Sequence, residues 1–547
     1  VHSTRIARWG GPLLLAGAAL AVYWGVWGFD LVNFDDEIAL SGAERAAPGA
    51  ADPASLVREL PALFRYERGR EYLPVRDASY LADRALRGNA DPGGLHATNL
   101  ALHIANGLLV YGLASLLGLS AAGALFAGGV FLLHPIQVEA VAWVSGRKDL
   151  LAALFVLVSW HAFERQRPVL SSIAFLAAGL SKATVVFLPA LLLLSRVIRE
   201  GAGAAGGGRW RRALREIAPH AAVGVAVAAV QLRTSAEAGM LRDAPAGGAG
   251  AAILRAAWLT ARYLRHAAWP VDLHVLYEPG SPSPTSPAAW GAAAALALLA
   301  TAAVRVRGAR PLVPIGLAAF LLLILPTLGL VPFQLVMADR YAYLPLAGLA
   351  LATAALVDRG RRGAPSGRLA DRRAAALALL VPLAVVARSE VPAWRDSEAL
   401  WRREIARDPR HAEAWANLGE HYLSRGRAAE AADALAEAAA RRPDSVPILT
   451  NRALAASRAG RHGEALAAIA AAAARAPRDA RVRYNAACVR AAAGDADGAM
   501  EDLAEAIRLG FSDRGLLTSD PDLAPLRSDP RFAPLLDAAA ANGATSP

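Results

Sequence analysis

The 547-residue chain has one cysteine, Cys488. No intramolecular disulfide can form, and no zinc site built on several cysteines exists. Charge is scarce at 19%, while hydrophobic residues reach 55% and mean hydropathy is +0.32. That balance excludes a disordered chain and an ordinary soluble domain. Lysine is nearly absent: of 58 Lys+Arg residues, only Lys148 and Lys182 are lysines. A net charge of +11 would point to nucleic acid in a soluble protein. Beside long apolar runs it reads instead as arginine held on the cytoplasmic face of a membrane, and no nucleic-acid partner is expected.

A span needs about 20 mostly apolar residues, at 1.5 Å rise each across roughly 30 Å of hydrocarbon. The first runs from about 11 to 29 and reads as a retained helix rather than a cleaved signal peptide. Further candidates lie near 96–117, 121–138, 149–164, 168–180, 184–199, 217–235, 288–304, 311–330, 341–357 and 374–391, about eleven spans in all. Arginine clusters before span 1 and after spans 4, 6, 8 and 10 then share the cytoplasmic side with the N-terminus. Residues 250–268 are apolar but carry Arg255, Arg262, Arg265 and His266, so they read as an amphipathic interfacial helix. Loop 30–95 and the C-terminus fall outside. The predicted domains are a membrane domain over 1–391, a linker over 392–410, repeats over 411–512 and a capping extension over 513–547.

The repeats are read from a 34-residue period. Gly426, Gly460 and Gly494 keep it, as do Ala431, Ala465 and Ala499, then Leu435, Ile469 and Leu503. The first unit reads Trp415, Leu418, Gly419, Tyr422, a tetratricopeptide pattern. Such helix pairs stack into a superhelix whose concave face takes an extended peptide or partner protein; a spacer role is the plainer alternative. Trp415 and Tyr422 are the partner-binding candidates.

Chemistry-bearing residues gather on the outer side of this topology. Asp35, Asp36 and Glu37 follow span 1. A carboxylate held at a membrane surface can act as general base toward a hydroxyl, although an acidic triplet is commonly just solvated. His96, Asn99, His103 and Asn106 are spaced 3, 4, 3, one face of a helix. They face either an aqueous cavity or an interhelical hydrogen-bond seam. His134 and Glu139, then Arg147, Lys148 and Asp149, occupy the connection between spans 3 and 4; Asp339, Arg340 and Tyr341 precede span 10. Arg147, Lys148, Lys182 and Arg340 all fall outside, against the positive-inside trend, which points to an anionic ligand such as a lipid phosphate. Carboxylates and histidines stand close enough for a divalent cation, but no ligand spacing demands one.

The acid pair Asp35-Asp36, Tyr72-Leu-Pro-Val-Arg76-Asp77, Asn99-x3-His103, His134-Pro-x2-Val-Glu139-Ala-Val-Ala, Arg147-Lys-Asp149-Leu-Leu and Ala338-Asp-Arg-Tyr-Ala-Tyr-Leu-Pro345, followed by a repeat tail, together resemble the transmembrane and tetratricopeptide-repeat-containing O-mannosyltransferases. The resemblance covers almost the whole chain, and the alanine- and arginine-rich composition suggests a bacterial relative. It departs at Leu73, where relatives often carry arginine, and in having only three repeats. It implies an all-α membrane bundle of the GT-C type followed by an α-solenoid. It also implies inverting transfer of mannose or another hexose from a polyprenyl-phosphate carrier to Ser/Thr hydroxyls of exported proteins, in a bacterial inner membrane with catalytic loop and repeats in the periplasm. The resemblance assigns Asp35 as base, with Asp36 as fallback or orienting partner. Lys148, Lys182, Arg147 and Arg340 would bind the donor phosphate. Arg76, His103, His134, Glu139, Asp149, Asp339 and Tyr341 would shape the pocket. Partners would be the lipid-linked sugar, an acceptor protein and membrane lipids. The alternatives are a transferase acting on lipids or glycans, and an inactive membrane-anchored scaffold.

Overall fold

The computed structural model describes residues 2–66, 71–88, 91–200, 208–237, 239, 248–277, 285–330, 337–358 and 373–545. The arginines between 359 and 372, expected in a cytoplasmic loop, lie outside the described residues. Among the described residues the chain forms helices and no strand. It divides into two compact units, residues 1–396 and 397–547.

In the first unit every one of the eleven apolar segments falls on a helix. Five are long and apolar enough to cross a membrane: Trp9–Gly28, Pro92–Leu116, Arg211–Glu237, Pro287–Val306 and Arg373–Trp394. The pair Ala121–Leu133 and Pro135–Ala142, bent by 51°, makes a sixth if counted as one broken span. Pro168–Ser181, Leu312–Thr327 and Pro345–Asp358 are apolar but shorter. The count of eleven is therefore not reached on helix length: a helix of about 14 residues reaches only about 21 Å at 1.5 Å per residue, less than the hydrocarbon thickness. The protein is a multi-pass membrane protein with several short helices at its centre.

The bend at His134 has a local cause. Pro135 has no N–H to continue the preceding helix and disfavours helical geometry at His134, which is extended at φ −75°, ψ 130°. The His134 ring caps the next turn: its Nδ1 accepts the Ile136 N–H at 3.2 Å, and Nε2–H donates to the Ala267 carbonyl at 3.0 Å.

The Arg340 backbone N–H donates to Glu139 at 2.9 Å, which joins two loops distant in sequence. Seven described helices, from Arg147–Glu164 to Leu312–Ile324, lie between them. Gly248–Ala268, with its three arginines and a histidine, is not among the helices long and apolar enough to cross. Its Ala256, Leu259 and Tyr263 pack with Ile136, Phe320 and Met337. The Tyr263 hydroxyl accepts the Ala338 N–H and donates to the Ala338 carbonyl, both at 3.1 Å. This helix thus anchors the segment that carries Arg340.

Helices Leu312–Ile324 and Pro345–Asp358 touch backbone to backbone at Gly316 and Gly348. A Cβ on Gly348 would strike the Gly316 carbonyl and stand 2.7 Å from the Phe320 nitrogen. Close approach through small residues is the usual way membrane helices associate.

The second unit opens with helix Ser397–Arg407, which falls in the expected linker. Three helix pairs follow: Ala412–Ser424 with Ala428–Arg441, Val446–Arg458 with His462–Arg475, and Ala480–Ala492 with Ala496–Arg508. Gly426, Gly460 and Gly494 end the first helix of each pair at φ of 74°, 74° and 84°, a left-handed turn that favours glycine. Arg514–Ser519, Pro521–Leu526 and Phe532–Thr545 close the end, where Leu517, Leu523, Leu526 and Phe532 cover Ala487, Cys488 and Leu503. Asn542, expected in a loose tail, is instead held by the Ile507 carbonyl at 2.7 Å.

Gly348→Ala should destabilise the protein by about 1–3 kcal/mol, as overpacking against backbone does. Gly291→Ala, at a position with nothing within 4 Å of an added Cβ, should be neutral. Thermal midpoints in detergent check this; equal midpoints for the two variants would refute the close contact.

Candidate functional site

The loop after the first span divides the acid pair by conformation. Asp35 sits in the left-handed region at φ 69° and caps helix Asp36–Ala46 through its backbone carbonyl, which accepts the Ala39 N–H at 2.9 Å. Its carboxylate is exposed and accepts no hydrogen bond among the described residues. Asp36 is 1% exposed. Its Oδ1 accepts the Ser145 N–H at 2.8 Å and the Ser145 hydroxyl at 2.7 Å, and Oδ2 accepts the Val32 N–H at 3.1 Å. Burial pushes the Asp36 carboxyl up to about 7, against the hydrogen bonds from Ser145 and Val32. Asp36 is thus a fastener between two loops, and Asp35 is the exposed carboxylate of the pair.

The same turn carries the aromatic floor. Trp143 Nε1–H donates to the Phe34 carbonyl at 2.7 Å, and the two rings stack at 5.0 Å. The Arg340 guanidinium lies over Trp143 at 4.9 Å and Phe34 at 5.7 Å. The residue preceding Asp35 therefore packs directly beneath Arg340.

The four candidate phosphate ligands separate into three kinds. Arg147 is fully buried and committed to the protein. Its Nε donates to Asn99 at 2.9 Å, Nη1 to Asp83 at 2.6 Å, and Nη2 to the Leu95 carbonyl at 2.8 Å. Its assignment to the phosphate is corrected: its guanidinium is tied up in fastening helix Pro92–Leu116 to helix Pro74–Arg87. Lys148 has one ion-pair partner, Glu71, at 3.6 Å. Lys182 donates to Asp149 at 2.5 Å, and its Nζ stands 5.0 Å from the Tyr341 ring centroid. Arg340 pairs through Nη1 with Glu139, leaving Nε and Nη2 without a protein acceptor among the described residues. Lys182 and Arg340 line one small cleft, partly open to solvent, with Asp149, Thr184, Thr327 and Tyr341. Apolar walls come from Ala152, Val185, Leu323, Leu344 and Pro345.

The remaining pocket candidates mostly support this cleft from behind. Glu139 takes both the backbone and side chain of Arg340. Asp339 accepts the Tyr277 hydroxyl at 2.6 Å, which fixes the residue before Arg340. Arg76 bonds Asp77 at 2.9 Å and Glu71 at 2.6 Å. Burial alone would raise the Glu71 carboxyl, but Lys148, Arg76 and Lys182 hold it down at about 2. His103 does not reach the cleft. Its ring joins the Tyr343 hydroxyl at 2.9 Å and the Leu132 carbonyl at 3.1 Å. Asn99 and Asn106 bond the carbonyls of Trp143 and Leu150, and His96 that of Asp30. The polar stripe is therefore an interhelical seam, and His103 and His134 are corrected from pocket-forming to structural. Phe34, Trp143 and Tyr277 were missed in the sequence; the placement of Phe34 before the acids and of Trp143 before Ser145 was the available signal.

In the second unit Tyr422 is buried. Its hydroxyl donates to Glu398 at 3.2 Å and accepts from Arg402 Nε at 3.1 Å, and Arg427 covers its ring. It joins the leading helix to the first pair and is not a partner contact. Trp415 is half-buried, its Nε1–H donating to the Pro409 carbonyl at 3.0 Å.

Comparison with known proteins fits this picture. The family model described as tetratricopeptide repeat matches residues 394–446 and 450–513. The chain is 36% identical over 115 residues to Protein O-mannosyl-transferase Tmtc1 of Drosophila melanogaster, covering 20% of this chain and 13% of that protein. It is 31% identical over 107 residues to Protein O-mannosyl-transferase TMTC4 of Homo sapiens, covering 17% of this chain and 14% of that one. It is 36% identical over 92 residues to Protein O-mannosyl-transferase Tmtc2 of Drosophila melanogaster, covering 17% and 10%. The matched stretch thus spans well under a fifth of each relative's own length. The resemblance read from the motifs is borne out over that stretch.

The raised Asp36 carboxyl makes a signed prediction. The folded protein retains a proton there that the unfolded chain releases near pH 4, so this contribution to stability is present below pH 4 and is lost as pH rises toward about 7. Between pH 5 and 7.5 the thermal midpoint of the wild type should fall relative to that of Asp36→Asn. A pH-independent difference between the two would contradict the burial of this carboxyl.

Proposed function

We propose that the chain is a membrane glycosyltransferase that moves a hexose, mannose or another, from a polyprenyl-phosphate carrier to Ser/Thr hydroxyls of exported proteins. One observation carries this reading. An exposed carboxylate, Asp35, follows a ring packed under Arg340, and Arg340 shares a cleft with Lys182 in which both cations keep N–H groups without an acceptor among the described residues. A base and an anion-binding cleft are the two elements that transfer from a phosphate needs.

Asp35 takes the proton of the acceptor hydroxyl as its oxygen attacks the anomeric carbon. The bond from that carbon to the phosphate oxygen breaks, and the electron pair leaves with the lipid phosphate. Lys182 and Arg340 receive the charge, and Lys148 adds a second-line cation through Glu71. Attack opposite the leaving group inverts the anomeric centre and needs no covalent enzyme intermediate. The distribution of arginines supports a cytoplasmic N-terminus in a bacterial inner membrane, with the Asp35 loop and the repeats in the periplasm. The repeats suit the binding of an acceptor or partner protein.

Removing a general base typically costs about 10²–10⁴ in rate. Asp35→Asn should therefore lower glycan transfer in purified membranes by at least about 100-fold, with binding of the lipid donor kept within about twofold. Transfer within a few-fold of wild type would remove Asp35 from the role of base. Arg340→Ala should instead weaken donor binding, about tenfold for the loss of one charge-assisted contact.

A further inference from the structure

One carboxylate oxygen of a residue that lines the cleft has no hydrogen-bond partner among the described residues. Asp149 is 7% exposed and opens helix Arg147–Glu164. Its Oδ1 receives Lys182 Nζ at 2.5 Å. Its Oδ2 is buried and makes no hydrogen bond. Buried carboxylate oxygens are nearly always satisfied, so an orphan in the wall of a cavity marks a place for a ligand. A carboxylate oxygen only accepts, so whatever enters must present a donor or a positive charge.

The surroundings decide which. The cleft's charged lining is Asp149, Lys182 and Arg340, two cations against one carboxylate. Glu139 already holds the side chain and backbone of Arg340. A divalent cation needs several oxygen ligands and would meet two positive neighbours. An anionic molecule that also carries neutral hydroxyls meets none of these penalties. Its phosphate satisfies the free N–H groups of Lys182 and Arg340, and one hydroxyl satisfies Oδ2.

We infer that Asp149 Oδ2 accepts a hydroxyl of the donor's sugar, so that one carboxylate both holds Lys182 against the phosphate and reads the hexose attached to it. This rests on reading the cleft as the donor site. It assigns Asp149 to recognition of the sugar, distinct from Lys182 and Arg340, which recognise the phosphate whether or not a sugar is attached.

The test uses the full-length protein in lipid nanodiscs and two probes, undecaprenyl phosphate with and without a mannose. Asp149→Asn keeps an acceptor for Lys182 but presents an N–H₂ in place of Oδ2. It should lose about tenfold in affinity for the mannosylated lipid and stay within about twofold for the bare lipid, as expected when a buried acceptor for one hydroxyl is removed. Retained binding of the bare lipid also shows that the variant is folded. An equal loss for both probes would mean that Asp149 acts only through Lys182, and the inference would fail. Unchanged binding of both would overturn it as well, as would uptake of Mg²⁺ by the wild type that Asp149→Asn abolishes. If Lys182→Ala and Arg340→Ala leave binding of the bare lipid unaltered, the donor-site reading itself is what fails.

Discussion

A charge removed from water at the end of a helix bundle must be paired, and that requirement organises the first unit. Arg147 is paired with Asp83, Arg340 with Glu139, Lys182 with Asp149, and Arg76 with Asp77 and Glu71. Each pair joins segments distant in sequence or pins a loop at the same place. Such pairs are a weak source of net stability, since desolvation offsets attraction, but breaking one leaves a buried charge at a cost of about 3–5 kcal/mol. Their effect is to fix geometry. The loop after the first span, the turn after His134, the start of helix Arg147–Glu164 and the segment before Pro345 are held in one arrangement.

Pairing also separates fastening cations from those that can bind. Arg147 is surrounded by acceptors and has no exposure. Arg340 and Lys182 are each held by one carboxylate and keep donors that face the cleft. The same logic divides the acids: Asp36, with three hydrogen bonds, ties Val32 to Ser145, while its exposed neighbour Asp35 carries no such load. Adjacent residues of like type thus take different parts because the backbone, left-handed at Asp35, turns one carboxylate inward and the other out.

Much of this was legible in the sequence. Apolar runs located the helices, and the 34-residue period located the repeats. Three things were not legible, for physical reasons. The number of full crossings depends on helix length, and Pro135 breaks one apolar run while several others stop short. Arg147 was grouped with Arg340 because both stand against the trend, and only the packing of Asn99 and Asp83 around it shows that it is committed. Tyr422 matches a repeat signature, yet signature positions in such repeats are mainly packing positions, and here its hydroxyl bridges to Glu398 and Arg402. The polar stripe from His96 to Asn106 was correctly placed on one helix face, but periodicity alone does not distinguish a seam from a cavity.

The central claim is that Lys182 and Arg340 form the anion-binding wall of the donor cleft. The most direct measurement is an electron cryomicroscopy structure of the protein with a polyprenyl-phosphate sugar bound. The account predicts the phosphate within hydrogen-bonding distance of Lys182 Nζ and the Arg340 guanidinium, with Arg147 still enclosed by Asp83 and Asn99. A phosphate seated on Arg147, or at the opposite end of the bundle, would contradict it.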